Sequence, residues 1–447
     1  MQSATRINLA KRISVLFLFS LATDGLSQTT IQLLSQVPQF GVYQTSMPPS
    51  YAPPPDIVVL RDDQHVIRDQ ANWYTLIKLT AAQKQQLGEN LIAKVTKDAG
   101  CDAFDRIESV VYLTEPIGIQ PTANDLSRSV EMARFMTSFS TFNLDASPKP
   151  YVFPLMDVSL FAPLLADSTR DIWVGFSGGA NPNYPDGRGA YNPCWDKNGN
   201  QLSNLPLAPY PTDLTSAQRQ TIFAHTGFLF SLDLISTQPA VAPSSKVAVV
   251  ADLNAPTQTG SGPMLSIAGT LNVSDPGDGA TTVRGTVNVI VTSHGTNSEF
   301  GFNSDNTLLL NGERVGATFS LQANCNQFAT PKINPLNPNI NLGTVGANPT
   351  QPRNWCPAGS VRTTEDNPGT PNPTPDNPGA PVRAQVFQDV TLKVGINSIL
   401  LNFGPFTNSF GSYNPDVDAY PTSITFVPID VSMVNETVSP SIGHSAP

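Results

Sequence analysis

The sequence contains few of the residues that usually bind metals. Its 447 residues include four cysteines and four histidines, which are His65, His225, His294 and His444. The cysteines and histidines do not show the clustered spacing of a zinc site. Copper sites need several imidazoles, and this chain has too few histidines for two such sites. We therefore expect no metal and no cofactor.

Three common catalytic signatures are also missing from the chain. It has no glycine-rich phosphate loop, no G-x-S-x-G elbow and no HExxH helix. A phosphate loop would indicate nucleotide binding, the elbow would indicate a serine hydrolase, and the helix would indicate a zinc protease. None of these three classes is therefore indicated.

Positive charge is scarce as well. The chain has 25 lysines and arginines against 35 aspartates and glutamates, which gives a formal net charge of −10 at pH 7. Nucleic acids and anionic membranes bind basic surfaces. We therefore expect neither of them as a partner, and the acidic composition suits an acidic environment.

Long apolar runs are absent, and the longest one lies near the N-terminus. There, Arg6, Lys11 and Arg12 precede the run ISVLFLFSLA, which is the pattern of a signal peptide. The run has about ten residues, whereas a helix needs about 20 to span a bilayer. We expect residues 1–28 to be a signal peptide. The mature protein is then expected to be secreted, extracellular or periplasmic, and not held in a membrane.

An exported protein with four cysteines is expected to form two disulfides, because the compartment outside the cytosol is oxidising. Four cysteines allow three connectivities. We favour the pair Cys325 with Cys356 and the pair Cys101 with Cys194. Free, buried thiols are the alternative to this prediction.

The sequence does contain many short runs that alternate apolar and polar residues. Examples are RIESVVYL from residue 106, DIWVGFS from residue 171 and VRGTVNVIVTS from residue 283. Such alternation indicates strands, and the Asn311-Gly312 pair is typical of a tight hairpin turn. Because no helical segments are interleaved, these strands predict an all-β protein built from antiparallel sandwiches or jelly rolls. One short helix is expected, with Thr80 as its N-cap.

A chain of this length is expected to form two domains. The stretch STQPAVAPSSK, residues 236–246, indicates the seam because it follows one strand and precedes another. The proline-rich segment SMPPSYAPPPD, residues 46–56, cannot join a helix or a central strand and therefore indicates an N-terminal extension. The predicted units are an extension over 29–80, a first domain over 81–240, a second domain over 241–437 and a tail over 438–447.

Three polar clusters carry candidate chemistry. CDAFDRIE, residues 101–108, places five ionisable side chains in eight positions of a chain that is only 13% charged. SHGTNSEFGFN, residues 293–303, is a polar loop between two strands, and loops on rigid sheets are common places for functional sites. QPRNWCPAGS, residues 351–360, sets an arginine and a tryptophan beside a cysteine, and sugar rings can stack on such an aromatic face. A structural ion pair, a solvated loop and a core tryptophan are the respective alternatives.

Taken in this order, the three clusters resemble the peptide:N-glycosidase F family, whose members cleave the bond between asparagine and the innermost N-acetylglucosamine of N-glycans. CDAFDR matches a Cys-Asp-x-Trp-Asp-Arg stretch of that family, with Phe104 in place of the tryptophan. SHGTNSEF matches a loop in which a histidine is followed by an active-site acid. RNWCPAG matches an Arg-x-x-Trp-Cys-Pro-Gly motif. The matching order extends from about residue 88 to about residue 434.

The resemblance implies both a fold and an activity. The fold is two adjacent eight-stranded antiparallel jelly rolls, and the activity is that of a peptide-N4-(N-acetyl-β-glucosaminyl)asparagine amidase acting on N-glycosylated proteins or peptides. The family's essential aspartate falls on Asp105, its neighbouring arginine on Arg106 and its second acid on Glu299. The family's disulfide-bounded loop matches Cys325 and Cys356. We assign substrate binding to Asp102, His294, Arg353 and Trp355.

The sequence also departs from the family pattern. The family has a third acid on a strand near the end of its first domain, and the matching strand has Gly175 at the corresponding place. Thr292 replaces a tryptophan, the cysteines that bracket the family's glutamate are absent, and the tryptophan-cysteine motif is one residue shorter. The alternative function is therefore a protein of the same fold that binds N-glycans without cleaving them. We expect a monomer in either case.

Overall fold

The computed structural model of the chain describes fourteen ranges of residues. These are 28–40, 57–61, 64–69, 72–100, 107–136, 151–153, 155–179, 226–254, 257–258, 265–277, 279–291, 306–319, 385–403 and 422–429.

The described residues form two β-sandwiches, which we call the N-terminal and the C-terminal sandwich. The strands of the N-terminal sandwich are β1 Gln28–Phe40, β2 Ile57–Arg61, β3 Gln64–Asp69, β4 Asn72–Lys78, β5 Gly88–Gly100, β6 Ile107–Pro116, β7 Val130–Met136, β8 Tyr151–Val152, β9 Met156–Asp157, β10 Arg170–Gly179 and β11 Thr226–Ala240. Its α-helices are α1 Ala81–Lys84 and α2 Ala162–Leu165, and its 3₁₀ helices are Ala123–Arg128 and Ser159–Phe161.

The C-terminal sandwich is made of ten strands among the described residues. They are β12 Val249–Val250, β13 Asp252–Leu253, β14 Thr257–Gln258, β15 Leu265–Val273, β16 Thr282–Val291, β17 Asn306–Leu310, β18 Glu313–Phe319, β19 Gln385–Lys393, β20 Gly395–Phe403 and β21 Thr422–Pro428.

Each sandwich consists of two antiparallel sheets. In the N-terminal sandwich, sheet 1 has the order β1-β11-β5-β8, with β9 also paired to β5, and sheet 2 has the order β2-β3-β4-β10-β6-β7. In the C-terminal sandwich, sheet 3 has the order β12-β21-β16-β19, and sheet 4 has the order β13-β15-β20-β17-β18, with β14 also paired to β15. The prediction of an all-β protein with two antiparallel sandwiches is confirmed.

The two sandwiches repeat one strand order. If the eight principal strands of each sandwich are numbered along the chain, one sheet has the order 1-8-3-6 and the other has the order 2-7-4-5. In the N-terminal sandwich, the principal strands are β1, β4, β5, β6, β7, β8, β10 and β11, and in the C-terminal sandwich they are β12 and β15 to β21. Eight strands that are divided between two facing sheets in these orders form a double-sheet jelly roll. The remaining short strands extend the sheet edges, as the β2–β3 hairpin does beyond β4.

The predicted N-terminal extension over residues 29–80 is wrong, because two strands of that range are integral to the N-terminal sandwich. β1 pairs with β11 from Gln28 opposite Thr237 to Phe40 opposite Thr226. β4 pairs with β10 along its whole length. The proline-rich segment that suggested a tether lies outside the described residues. Prolines in a connecting segment do not prevent the strands on either side of it from joining the sheets.

The helix predicted near Thr80 is present but short. Thr80 caps α1, since its hydroxyl accepts the Gln83 backbone N–H and its own backbone N–H donates to the Gln83 side chain. This reciprocal pair is a capping box. Gly88 then begins β5, so the helical pattern does not continue past it. The predicted hairpin is also confirmed, because Asn311 and Gly312 both have positive φ in the turn between β17 and β18.

Each sandwich has its own hydrophobic core, and the second sandwich also contributes to the first core. The C-terminal core lies between sheets 3 and 4 and includes Val289, Leu401 and Phe426. The N-terminal core lies between sheets 1 and 2, and it includes Val427 of β21 and Ala248, which precedes β12. The strand β21 also contacts β7. Side chains from the C-terminal sandwich therefore complete the core of the N-terminal one.

Candidate functional site

All the predicted site residues lie outside the described residues. They are Cys101, Asp102, Asp105, Arg106, Cys194, His294, Glu299, Cys325, Arg353, Trp355 and Cys356. The structure does describe the strand ends between which most of them lie in the chain. Segment 101–106 follows β5 and precedes β6, segment 292–305 joins β16 to β17, and segment 320–384 joins β18 to β19. The roles assigned to these residues stay predictions.

In the N-terminal sandwich, the register shows at which end segment 101–106 leaves the sheets. Gly100, the last residue of β5, lies opposite Phe228 near the start of β11. Ile107, the first residue of β6, lies opposite Gly179 at the end of β10 and opposite Met136 at the end of β7. These strand termini therefore share one end of the sandwich, which we call its loop end.

The C-terminal sandwich has a corresponding loop end. Val289 near the end of β16 lies opposite Gln385 at the start of β19, and Asn306 at the start of β17 lies opposite Phe319 at the end of β18. Segments 292–305 and 320–384 therefore leave from the same end of this sandwich. Each of the two predicted acids follows the third principal strand of its sandwich and precedes the fourth, Asp105 in the first and Glu299 in the second.

Beneath the loop end of the N-terminal sandwich lies a layer of packed aromatic rings. The Phe135 ring lies 5.4 Å from that of Phe230 and 4.7 Å from that of Phe153, measured between centroids. Phe176 packs against both Phe135 and Phe230 at centroid distances of 6.0 and 5.4 Å. Tilted and edge-to-face pairs of this kind are favourable, and the rings are fully buried. The strands that carry these rings therefore have a rigid support at this end.

A β-bulge changes which side chains face outward on β7, close to the loop end. Val110 of β6 lies opposite Ala133, whereas the next residue, Val111, lies opposite Glu131. Met132 is thus an extra residue in β7. In a regular strand, residues three positions apart point to opposite faces, but one inserted residue reverses the alternation. The bulge therefore places Glu131 and Arg134 on the same outer face of sheet 2.

Glu131 and Arg134 form a bidentate ion pair on that face. The Arg134 Nε donates to Glu131 Oε1 at 2.7 Å, and the Arg134 Nη2 donates to Glu131 Oε2 at 2.6 Å. The Ser109 hydroxyl on β6 donates to the same Glu131 Oε1 at 2.5 Å. The side chains of Arg134 and Glu131 are only 5% and 11% exposed. This largely buried group links Ser109, in the first half of β6, to β7. Ser109 lies three residues after Arg106 in the sequence.

A second charged group lies at the opposite end of β6. The Glu115 side chain is buried, and Arg128 donates to it at 2.8 Å and to Asp125 at 2.7 Å. Burial raises the pKa of Glu115, although the nearby Arg128 guanidinium opposes this shift. Burial also acts to raise the pKa of Asp125, but hydrogen bonds from Thr122 and Arg128 outweigh it, so that pKa is lowered. This group has the environment of a structural ion pair.

Gly175, where the sequence comparison expected a third acid, has no room for a side chain. It is buried on β10 between β4 and β6. A Cβ atom placed on Gly175 would lie 1.8 Å from the backbone oxygen of Thr75, far inside van der Waals contact. An acid at this position would therefore require β4 to move away from β10.

Lys84 is a buried cation with a clear structural role. Its Nζ donates to the backbone oxygens of Asp167 and Arg170 at 2.7 and 2.5 Å, and so joins the end of α1 to Asp167 and to the first residue of β10. Burial lowers the pKa of this ammonium, and the nearby carboxylates of Asp171 and Asp167 partly offset that effect. These contacts indicate that Lys84 has a structural role, in which it connects two elements, and not the role of a catalytic base.

Within the ranges that the structure describes, no group of three or more histidine, cysteine, aspartate or glutamate side chains could hold a metal ion. The helices in those ranges are all too short or too polar to cross a bilayer.

The Glu131–Arg134 pair was missed in the sequence because no local signal indicated it. Two oppositely charged residues three positions apart in a strand are normally on different faces, so the spacing did not suggest a pair. A bulge would have been needed to make them neighbours, and the run VEMARFM contains no glycine to mark one.

Comparison with known proteins gives structural neighbours only. No protein-family model and no curated protein sequence matches the chain. The chain is similar to the solved structure of PNGase F, a glycosylasparaginase from Flavobacterium meningosepticum, at 12% identity and a TM-score of 0.40, with 90% of this chain and 96% of that one covered. It is also similar to the structure of a peptide-N(4)-(N-acetyl-β-D-glucosaminyl) asparagine amidase, at 11% identity and a TM-score of 0.39, with the same coverage.

Proposed function

We propose that the chain is a secreted glycoamidase that hydrolyses the amide bond between asparagine and the innermost N-acetylglucosamine of N-glycans. Water would add to the side-chain carbonyl carbon of asparagine, and the carbon–nitrogen bond would then break. The products would be a glycosylamine and an aspartate in the peptide. Such a reaction needs a base for the water, an acid for the leaving nitrogen and donors for the developing oxyanion.

The observation that carries the proposal is the order of the three motifs CDAFDR, SHGTNSEF and RNWCPAG along two jelly rolls. The segments with Asp105 and Glu299 occupy the same connection, third to fourth strand, in their respective sandwiches. Both segments leave from a loop end, as the segment with Arg353 and Trp355 does. Functional residues commonly lie on connections that a rigid scaffold supports.

The roles in this proposal follow from the family resemblance and fit the chemistry of each side chain. Asp105 is the principal acid or base at the scissile bond, and Arg106 keeps it ionised and oriented, since an adjacent guanidinium favours the charged carboxylate. Glu299 positions or activates the water. Asp102, His294, Arg353 and Trp355 bind the sugar or the peptide, with the tryptophan stacking on a sugar ring.

The proposal is tested by incubating the purified protein with an N-glycosylated protein. We expect the glycan mass to be lost and the asparagine of each cleaved site to become aspartate. Asp105→Asn and Glu299→Gln are expected to reduce turnover strongly while circular dichroism shows the same fold. Retained deglycosylation by Asp105→Asn would contradict the central assignment.

Gly175 favours a second candidate function, a protein that binds N-glycans without cleaving them. The crowding around Gly175 leaves no space for the third acid of the resembled family. In that case, the incubation would leave the glycoprotein mass unchanged, and the protein would still bind a released N-glycan in isothermal titration calorimetry.

A further inference from the structure

We infer that Glu131 and Arg134 are positioning residues that fix the direction in which β6 begins, two residues after the proposed principal acid Asp105 in the sequence. This inference rests on the proposed function and adds residues to it that the three motifs do not contain. It names no catalytic role for the pair.

The location of the pair is close to the proposed acid in the chain. Ser109, which donates to Glu131, is four residues after Asp105, and β6 begins at Ile107. The same outer face carries Arg134 directly opposite Ser109 in the register of β6 and β7. The pair therefore fixes the outer side of β6 over its first three residues, at the loop end.

The opposite face of these strands is fixed as well. Phe135 lies opposite Glu108 in the register and packs into the aromatic layer with Phe153, Phe176 and Phe230. The Glu108 side chain is also buried on this inner face. The start of β6 thus lies between the aromatic layer and Glu108 on the inside and an ion pair on the outside. A strand held on both faces can change its direction only if one of these contacts is lost.

The bulge at Met132 indicates that the pair depends on an irregular geometry. Without this extra residue, Glu131 and Arg134 would point to opposite faces and could not pair. Bulges are frequent next to functional sites, where they redirect a side chain. Here, the bulge brings Glu131 and Arg134 to one face, where they form an ion pair that is largely shielded from solvent.

The energetics favour a role in geometry over a role in stability. Burying an ion pair costs desolvation free energy that the mutual attraction offsets only partly, so an apolar pair of similar size is often equally stable. The bidentate guanidinium–carboxylate geometry, however, fixes distance and angle in a way that apolar contacts do not. Strand β7 also contacts β21, so β7 connects β6 to the other sandwich.

The test compares Glu131→Gln with Glu115→Gln. Both substitutions remove a carboxylate that is at most 11% exposed from an arginine pair, one beside the start of β6 and the other at its far end. Each variant is assayed with a glycopeptide at the same number of degrees below its own Tm. We expect Glu131→Gln to lower kcat by about tenfold or more, because small misplacements of a reacting group are costly, with KM within about twofold. Glu115→Gln is expected to change kcat by less than about twofold.

A second variant and a hydrogen-exchange measurement also test the positioning role. Ser109→Ala removes a single hydrogen bond from the group, and it should lower kcat in the same direction if Glu131→Gln fails to fold. Hydrogen exchange in the Glu131→Gln protein should become faster at the amides of Ile107 to Val110 but not at those of Leu113 to Glu115. An unchanged kcat in active Glu131→Gln protein, or equal effects of both glutamate substitutions, would overturn the inference. If the wild-type protein does not cleave, the proposed function fails, and unchanged exchange at Ile107 to Val110 would then overturn the positioning role separately.

Discussion

Thr425 of β21 lies directly opposite Asn288 of β16, and both side chains are buried on the face of sheet 3 that points away from its own core. The neighbouring residue on that face, Val427, belongs to the core of the N-terminal sandwich. The Thr425 hydroxyl has no hydrogen-bond partner among the described residues. The polar side chains of Asn288 and Thr425 are therefore buried on the same face as Val427, which packs into the other sandwich. The hydroxyl of Thr425 is unsatisfied among the described residues.

Replacing Thr425 with valine should stabilise the protein. The substitution keeps the shape of the side chain and removes a buried hydroxyl that makes no hydrogen bond, so the free energy of unfolding should rise by about 1 kcal/mol. Chemical denaturation followed by fluorescence measures this change. Ser236→Ala is the contrasting variant, because the Ser236 hydroxyl accepts the Gly88 N–H at 2.6 Å and donates to the Gln86 oxygen at 2.7 Å. That variant should lose about 1–3 kcal/mol, and a gain there would contradict this reasoning.

Val427→Ala tests whether the two sandwiches unfold together. Val427 is 4% exposed and lies in the N-terminal core although it belongs to β21. Its truncation should cost about 2 kcal/mol and lower the Tm of the whole protein in one calorimetric transition. Val247→Ala is the matched control because Val247 is 45% exposed, and it should change stability by less than about 0.5 kcal/mol. Two separate transitions, with only the later one shifted, would contradict the shared core.

Gly175→Ala should destabilise the protein strongly. The added Cβ would lie 1.8 Å from the Thr75 oxygen and 2.9 Å from the Thr75 carbonyl carbon, and neither backbone atom can rotate away. We expect a loss of at least about 3 kcal/mol, within the range of severe core changes. Gly277→Ala is a useful comparison, since it meets no atom within 4 Å but has a φ of +86°. That strain should cost about 1–2 kcal/mol. Gly175 does not have a positive φ, so its larger loss would come from crowding and not from backbone strain.

Glu115 predicts a specific dependence of stability on pH. Its pKa in the folded protein is raised above the ordinary value of 4.5, so the folded state binds a proton more readily than the unfolded state. Stability from this group is therefore fully present below pH 4.5 and falls as the pH rises through the folded-state pKa. In Glu115→Gln, this decrease should disappear, which a series of Tm measurements from pH 4 to 7 would detect. A parallel pH dependence in the variant and the wild type would contradict the raised pKa.

Asp125 in the same cluster should act in the opposite direction. Its pKa is lowered from 3.8, so its contribution is present above that value and is lost as the pH falls through the folded-state pKa. Asp125→Asn should therefore weaken the acid sensitivity of the protein below pH 3.8. The Tm difference between wild type and variant, measured from pH 2 to 5, should narrow towards the acidic end, and a constant difference would contradict the shift.

Local patterns in the sequence were sufficient for the strands and for the short turns between them. The alternation in DIWVGFS identified β10, and Asn311-Gly312 identified the β17–β18 turn, because both signals depend on neighbouring residues. The role of β1 was missed for the opposite reason. Its partner β11 is almost 200 residues away, and no property of residues 28–40 by themselves specifies that pairing.

The candidate site was less accessible to sequence reasoning than the fold was. The motifs around Asp105 and Glu299 were identified by their residue types, and their positions in the strand order were not foreseen. The pairing of Glu131 with Arg134 depends on a single extra residue in β7, and the register that reveals it involves the neighbouring strand. The crowding at Gly175 likewise comes from the backbone of β4 and not from any residue next to it in the chain.

The pairing of β1 with β11 has a consequence for how the chain folds. Thr29 cannot reach its partner Ser236 until more than 200 further residues are available, so the first sandwich has a high contact order. Proteins dominated by such distant pairings fold in milliseconds to seconds or more slowly, since loop closure costs entropy before the contacts form. A nascent chain that stops before residue 226 therefore keeps β1 without its partner strand. Removal of β11 should leave a fragment that does not refold and that requires a chaperone to remain in solution.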